Sequence, residues 1–392
     1  MIDAHCGRAY HGNIQRWLEP SFDRISPKLC MHKHIAGGTI LLLKQQDNGP
    51  RLEWIDVAKG VCIALVVLGH TVEWYLRNFI VDETEIWDFL LIGMRPLRMP
   101  LFFMISGMLA ASKIERPLSN LWSKTGGLYL LYCLWTFIYC LKLALPAGRE
   151  GLPFPDVGQI LGAFMLPTIL WYIWALPVFY LIAWILERIL GANSVYALLP
   201  MIVISAMASQ IGQDTEDMLG TPLFIVHGQS ISANLLWFYI GLKGKKKIIA
   251  IAAGAQWTYL MAASTVAAVM TGVAWRWGID RLAIIATPFL LWAALQWLGK
   301  VHVGSTWARA FAAIGRSTLP IYVLHTFVLT AMSFAVGVLQ LQIILPYSWL
   351  PMQLAGPLVI AGFLTYACML AGTALAMIKL GFLVEPIPSP CR

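Results

Sequence analysis

Charge is what this sequence has least of. Only 12% of its 392 residues are Asp, Glu, Lys or Arg, about half of what a soluble globular chain carries. That is too little to coat the two or three soluble domains such a length would otherwise suggest. Paired cysteines are missing too. The seven cysteines show no CxxC or paired-ligand spacing, so neither a zinc site nor a disulfide framework is expected. Cys62, Cys133, Cys140 and Cys368 fall inside apolar runs, where a thiol is a small hydrophobe. No internal repeat is visible, and a transporter made of two inverted halves usually shows one. The apolar run Ile40–Leu43 is too short for the core of a signal peptide.

What remains is apolar: 59% of the side chains, with a mean hydropathy of +0.70. These numbers predict an all-α, polytopic integral membrane protein. Taking about 20 mostly apolar residues per crossing, ten spans are predicted near 55–76, 87–110, 122–144, 168–188, 194–211, 223–242, 248–270, 281–299, 311–337 and 355–379. The stretch 157–167 reads as a short interfacial or re-entrant piece. Residues 1–50 read as a loosely ordered cytoplasmic extension, 51–384 as the membrane domain and 385–392 as a short cytoplasmic tail. His5, His11, His32 and His34 belong to the extension and read as solvated side chains.

The net charge of +8 fits basic residues held in cytoplasmic loops and does not call for a nucleic-acid partner. Lys113, Arg116 and Lys124, then Arg188, then Lys243 with Lys245, Lys246 and Lys247, then Lys300, Arg309 and Arg316 fall in alternate loops. The lysine cluster reads as a loop anchor between two spans. The other loops hold Asp82, Glu83 and Glu85; Arg149 with Glu150 and Asp156; and Asp214, Glu216 and Asp217. This alternation places both termini in the cytoplasm.

Ionisable groups inside a membrane are expensive and mark candidate sites. His70 lies 15 residues beyond Ile55, about 22 Å into a core of about 30 Å. Asp56 and Lys59, three apart on the same helix, suit either an ordinary ion pair or a ligand contact near the cytoplasmic end. Glu73 shares a face with His70, either orienting its imidazole or standing solvated at the helix end. Arg95 and Arg98 share a face about 14–18 Å from the outer end of their span. They are too deep to snorkel, so they should face a polar cavity or an anion, or else pair with an acid of another helix, few of which lie at that depth. Ser106-Gly107, further along, reads more naturally as close helix packing than as a nucleophile. His325, counted from Phe311, lies about 21 Å into its span, at the depth of His70, and Tyr322 shares its face.

Three stretches carry a likeness: Ile55-Asp-Val-Ala-Lys-Gly60 running on to Gly69-His70, Met99-Pro-Leu-Phe-Phe-Met-Ile-Ser-Gly107, and Gly315-Arg-Ser-Thr-Leu-Pro-Ile-Tyr-Val-Leu-His325. In that order, with Trp171-Tyr-Ile-Trp-Ala-Leu-Pro-Val-Phe-Tyr180 between the last two, they resemble the acyltransferase-3 family of bacterial integral-membrane O-acyltransferases. Lys59 stands where most of that family has arginine, as in its fucose-4-O-acetylase-like branch. The resemblance implies a protein of the bacterial inner membrane. It implies no bound cofactor, with acetyl-CoA or another acyl-CoA as co-substrate. By the same resemblance, the acyl group would go to a hydroxyl of a cell-surface or periplasmic glycan or a lipid-linked sugar. His70 would be the general base. Arg95, Arg98 or His325 would stabilise charge, and Lys59 with cytoplasmic basic residues would meet the donor's phosphates. The competing reading is a transporter or flippase that uses the same polar layer as a path.

Overall fold

The computed structural model describes residues 53–79, 85–115, 117–144, 156–219, 227–277, 280–302, 304–339 and 350–386. Residues 1–50 with their four histidines, the acids Asp82 and Glu83, and the residues beyond 386 lie outside the described residues. Among the described residues every regular element is a helix. These are α1 (Glu53–Phe79), α2 (Glu85–Ile114), α3 (Leu118–Ala144), α4 (Val157–Met165) and α5 (Trp171–Leu190). A 3₁₀ segment (Gly191–Ala197) follows, then α6 (Leu198–Ala206), α7 (Ala208–Leu219), α8 (Gly228–Ala253), α9 (Trp257–Trp277) and α10 (Asp280–Lys300). The last are α11 (Thr306–Arg316), α12 (Thr318–Val338) and α13 (Leu350–Met377).

Six stretches are long and apolar enough to cross a membrane: Glu53–Phe79, Leu97–Ile114, Trp171–Ala206, Trp257–Trp277, Thr318–Val338 and Pro351–Met377. By that measure the described residues fall short of the expected ten, for local reasons. The fourth and fifth expected spans come as one stretch, because the 3₁₀ segment carries the helical path from α5 into α6. The lysine cluster is not a loop: Lys243–Lys247 sit inside the continuous helix α8. Lysine is a good helix former, so the charge lowers the local hydropathy without ending the helix. The ninth expected span is broken at Ser317 into α11 and α12, so the depth of His325 cannot be counted from Phe311.

Glycines fix how the central helices meet. A Cβ at Gly60 would overlap the Phe311 carbonyl, and one at Gly315 would overlap that of Asp56, so α1 and α11 touch backbone to backbone. Gly107 and Gly241 do the same for α2 and α8, against the Phe238 and Met104 carbonyls. Such contacts are how helices associate where no hydrophobic force separates helix from lipid. The close-packing reading of Gly107 thus has its partner in α8. Between and above these crossings lies the apolar core, with Phe103, Tyr132, Phe179, Phe238 and Tyr239 fully buried.

The short helix α4 is held differently. Asp156 and Gln159 form a capping box at its start. At its end the Tyr129 hydroxyl donates to the Phe164 carbonyl at 2.8 Å, and Tyr132 donates to Ala163 at 2.7 Å and also to Leu166. Trp174 Nε1 donates to the Met165 carbonyl at 2.9 Å. The last carbonyls of this helix of 9 residues, which have no partner within the helix itself, are thus satisfied by side chains of α3 and α5.

Candidate functional site

From the Gly60–Gly315 crossing, α1 and α11–α12 run in the same direction. His70 is ten residues past Gly60 on α1, a rise of about 15 Å, and His325 is ten residues past Gly315, across the break at Ser317. This shared register brings the two imidazoles together, with ring centroids 5.4 Å apart and planes inclined at 35°. The break at Ser317 therefore leaves the two histidines level.

Their surroundings differ. His70 is exposed, and its Nδ1 lies 3.6 Å from Glu73 Oε2, one turn further along α1. His325 is buried, 2% exposed, and its Nδ1 lies 3.0 Å from the Ile321 carbonyl. A carbonyl only accepts, so Nδ1 carries the proton, and in the neutral ring Nε2 is left as the acceptor. That Nε2 is buried and has no hydrogen-bond partner among the described residues.

Arg98 of α2 joins this layer. A Cβ on Gly69 would overlap the Arg98 guanidinium, so the arginine lies against the α1 backbone beside His70. Arg98 and Arg77, like His70, act electrostatically on Glu73. The side chain of Arg95 lies outside the described residues.

Below the imidazoles runs a chain of hydroxyls. The Tyr322 ring is 6.1 Å from that of His325, and its oxygen accepts from the Tyr172 backbone N–H at 3.2 Å. The Tyr172 hydroxyl lies 3.2 Å from Ser106 Oγ, which also donates to the Phe102 carbonyl at 2.9 Å. Phe102 meets the Tyr172 ring edge to face at 4.9 Å. Ser106 and Tyr322 are thus joined through Tyr172, a residue that sequence reasoning does not single out for chemistry.

Asp56 and Lys59 do not reach this layer. They pair with each other at 4.0 Å, and Lys59 is eleven residues before His70, about 16 Å lower on the same helix. Two further features escaped sequence reasoning. His227, at the N-cap of α8, lies 5.7 Å from the Trp171 ring and within electrostatic range of His70; its sequence signal was the polar run His227-Gly-Gln-Ser230 in an otherwise apolar stretch. Lys243 meets both Glu187 oxygens at 3.0 Å and Ser194 Oγ at 2.8 Å, while the Tyr239 hydroxyl donates to Glu187 Oε1 at 3.0 Å. This network ties α8 to the end of α5. Among the described residues no three His, Cys, Asp or Glu side chains gather as a metal ion would require.

A family model described as an acyltransferase domain matches residues 52–377. The chain is also similar to inner membrane protein YcfT of Escherichia coli (strain K12), with 24% identity over 303 residues that cover 69% of this chain and 78% of that protein. No solved structure matches the chain.

Proposed function

This chain belongs to the acyltransferase-3 family of membrane acyltransferases, and from that premise we propose that it is an O-acyltransferase of the bacterial inner membrane. It takes an acyl group, acetyl by preference, from a cytoplasmic acyl-CoA. It delivers the group to a hydroxyl of a cell-surface or periplasmic glycan or a lipid-linked sugar, and both of its termini are cytoplasmic. The observation that carries this reading is the meeting of His70, His325 and Arg98 in one layer of α1, α2 and α12.

Acyl transfer to a hydroxyl needs a base for the hydroxyl proton and positive charge for the tetrahedral oxyanion. The imidazole pair supplies the first and the Arg98 guanidinium the second. Arg95, three residues earlier, is assigned to the same charge-stabilising role from its place in the sequence. The chain Ser106–Tyr172–Tyr322 holds the helices that carry these groups. Lys59, at the lower end of α1, is assigned to the donor's phosphates.

The test is acetyl transfer by the full-length protein in proteoliposomes supplied with radiolabelled acetyl-CoA and a soluble glycoside. Label bound covalently to the glycoside supports the reading. Label or glycoside that crosses the bilayer with no ester formed would favour the transporter instead.

A further inference from the structure

The two histidines of the layer have opposite surroundings, and the geometry points to His325 as the general base and to His70, backed by Glu73, as the acid. This rests on the acyltransferase reading above and assigns a role to each ring within it.

His325 has a fixed tautomer. Its Nδ1 is held by the Ile321 carbonyl at 3.0 Å, the ring is 2% exposed, and Nε2 has no partner among the described residues. A buried acceptor left unmatched is unfavourable, and a donor that binds there removes the penalty. The donor that this chemistry calls for is a hydroxyl. His325 cannot, in this tautomer, donate to an oxyanion; it can only take a proton.

His70 is the reverse. Its side chain is 45% exposed, and its Nδ1 faces the Glu73 carboxylate at 3.6 Å. A carboxylate can only accept, so Nδ1 presents its proton to Glu73. Of the two rings packed on His325, Tyr322 is buried and hydrogen-bonded, whereas His70 is exposed. A rotamer change of His70, fast for an exposed side chain, opens Nε2 to the acceptor. Environments that separate two titratable groups in this way divide acid from base.

The step balances. The acceptor O–H bond breaks, its proton goes to His325 Nε2, and the oxygen bonds to the thioester carbonyl carbon. The resulting oxyanion faces Arg98. The C–S bond then breaks, and the departing sulfur takes a proton from His70. One proton passed from His325 to His70, across rings whose centroids are 5.4 Å apart, returns the pair to its starting state. Ester and free thiol are the products.

The groups that bear on these titrations come from several elements. On α1 they are Glu73 and Arg77, on α2 Arg98, and before α8 His227. Tyr322 lies below His325 on α12, with Tyr172 of α5 against it. Lys142 of α3 reaches Thr330, further up α12, at 3.2 Å. Helix α13 has no charged residue.

The experiment follows thiol release from acetyl-CoA against pH, with methyl glucoside as acceptor, for the full-length protein, H325Q and H70Q. The wild type should give a bell-shaped profile. H325Q should lose activity by about 10²–10⁴-fold, and its remaining rate should no longer fall toward acid pH. H70Q should keep the acid fall and lose the alkaline one. If H325Q does not fold, H70Q decides alone. Loss of the acid fall in H70Q, or both limbs unchanged in both variants, overturns the assignment while leaving acyl transfer standing. No thiol release by the wild type at any pH overturns the acyltransferase reading itself.

Discussion

Gly69 has no side chain, and the Arg98 guanidinium occupies the place where one would be. A half-buried arginine that lies on a neighbouring backbone is fixed in direction as well as in charge. Substituting Arg98 with Ala should lower kcat/KM by about 10²–10³-fold, the range for losing one preorganised donor to an oxyanion. Lys at this position should recover part of the loss, since it keeps the charge and lacks the planar fork. Gly69→Ala should fall between the wild type and R98A in activity, with its thermal midpoint in detergent nearly unchanged, because the group that must move is the end of a flexible side chain. Wild-type activity in G69A would show that the position of Arg98 is unimportant. At this scale the sequence was informative about residue types: His70, Arg98 and His325 stood out as costly at membrane depth. It said nothing of the contacts. Tyr172 and His227 were invisible as site residues because their partners are distant in sequence: Tyr172 meets Ser106 and Tyr322, 66 and 150 residues away, and His227 meets Trp171, 56 residues away.

At the scale of helices, crossings made by glycine set the layer that the site occupies. Gly107→Ala would drive a methyl group into the Phe238 carbonyl of α8. Forcing apart a packed pair typically costs about 1–3 kcal/mol, so a lower thermal midpoint is expected. Gly162→Ala on α4 is the control, since nothing lies within 4 Å of the added methyl; it should be neutral or raise stability by up to about 1 kcal/mol, the helix propensity of alanine over glycine. Equal midpoints for the two variants would contradict the account of the α2–α8 contact. Helix existence was legible from apolar runs, and so was the isolated piece at 157–167, seen as α4 (Val157–Met165). Helix limits were less so. Lysines at 243 and 245–247 look like a loop in sequence, yet Glu187 and Ser194 receive Lys243 and the helix continues. The break at Ser317 was hidden because the run Gly315-Arg-Ser-Thr318 that holds it is short and apolar stretches flank it.

For the whole molecule, the proposed reading places the donor's phosphates at Lys59, about 16 Å along α1 from His70, and so puts donor and acceptor on opposite sides of the membrane. Lys246 and Arg77, both exposed, should lie on opposite sides of the membrane. In a background without other reactive thiols, K246C should be labelled by a membrane-impermeant thiol reagent only in inside-out vesicles, and R77C only in right-side-out ones. Labelling of both from one side would refute the topology. The most direct test of the central claim uses sealed proteoliposomes holding the protein in one orientation. Acetyl-CoA is added only on the side of Lys246, and methyl glucoside is present only on the side of Arg77. The account predicts acetyl ester on the glycoside with wild-type protein, and losses of about 10²-fold or more with R98A and H325Q. No ester with the wild type, or equal ester with all three proteins, would contradict it.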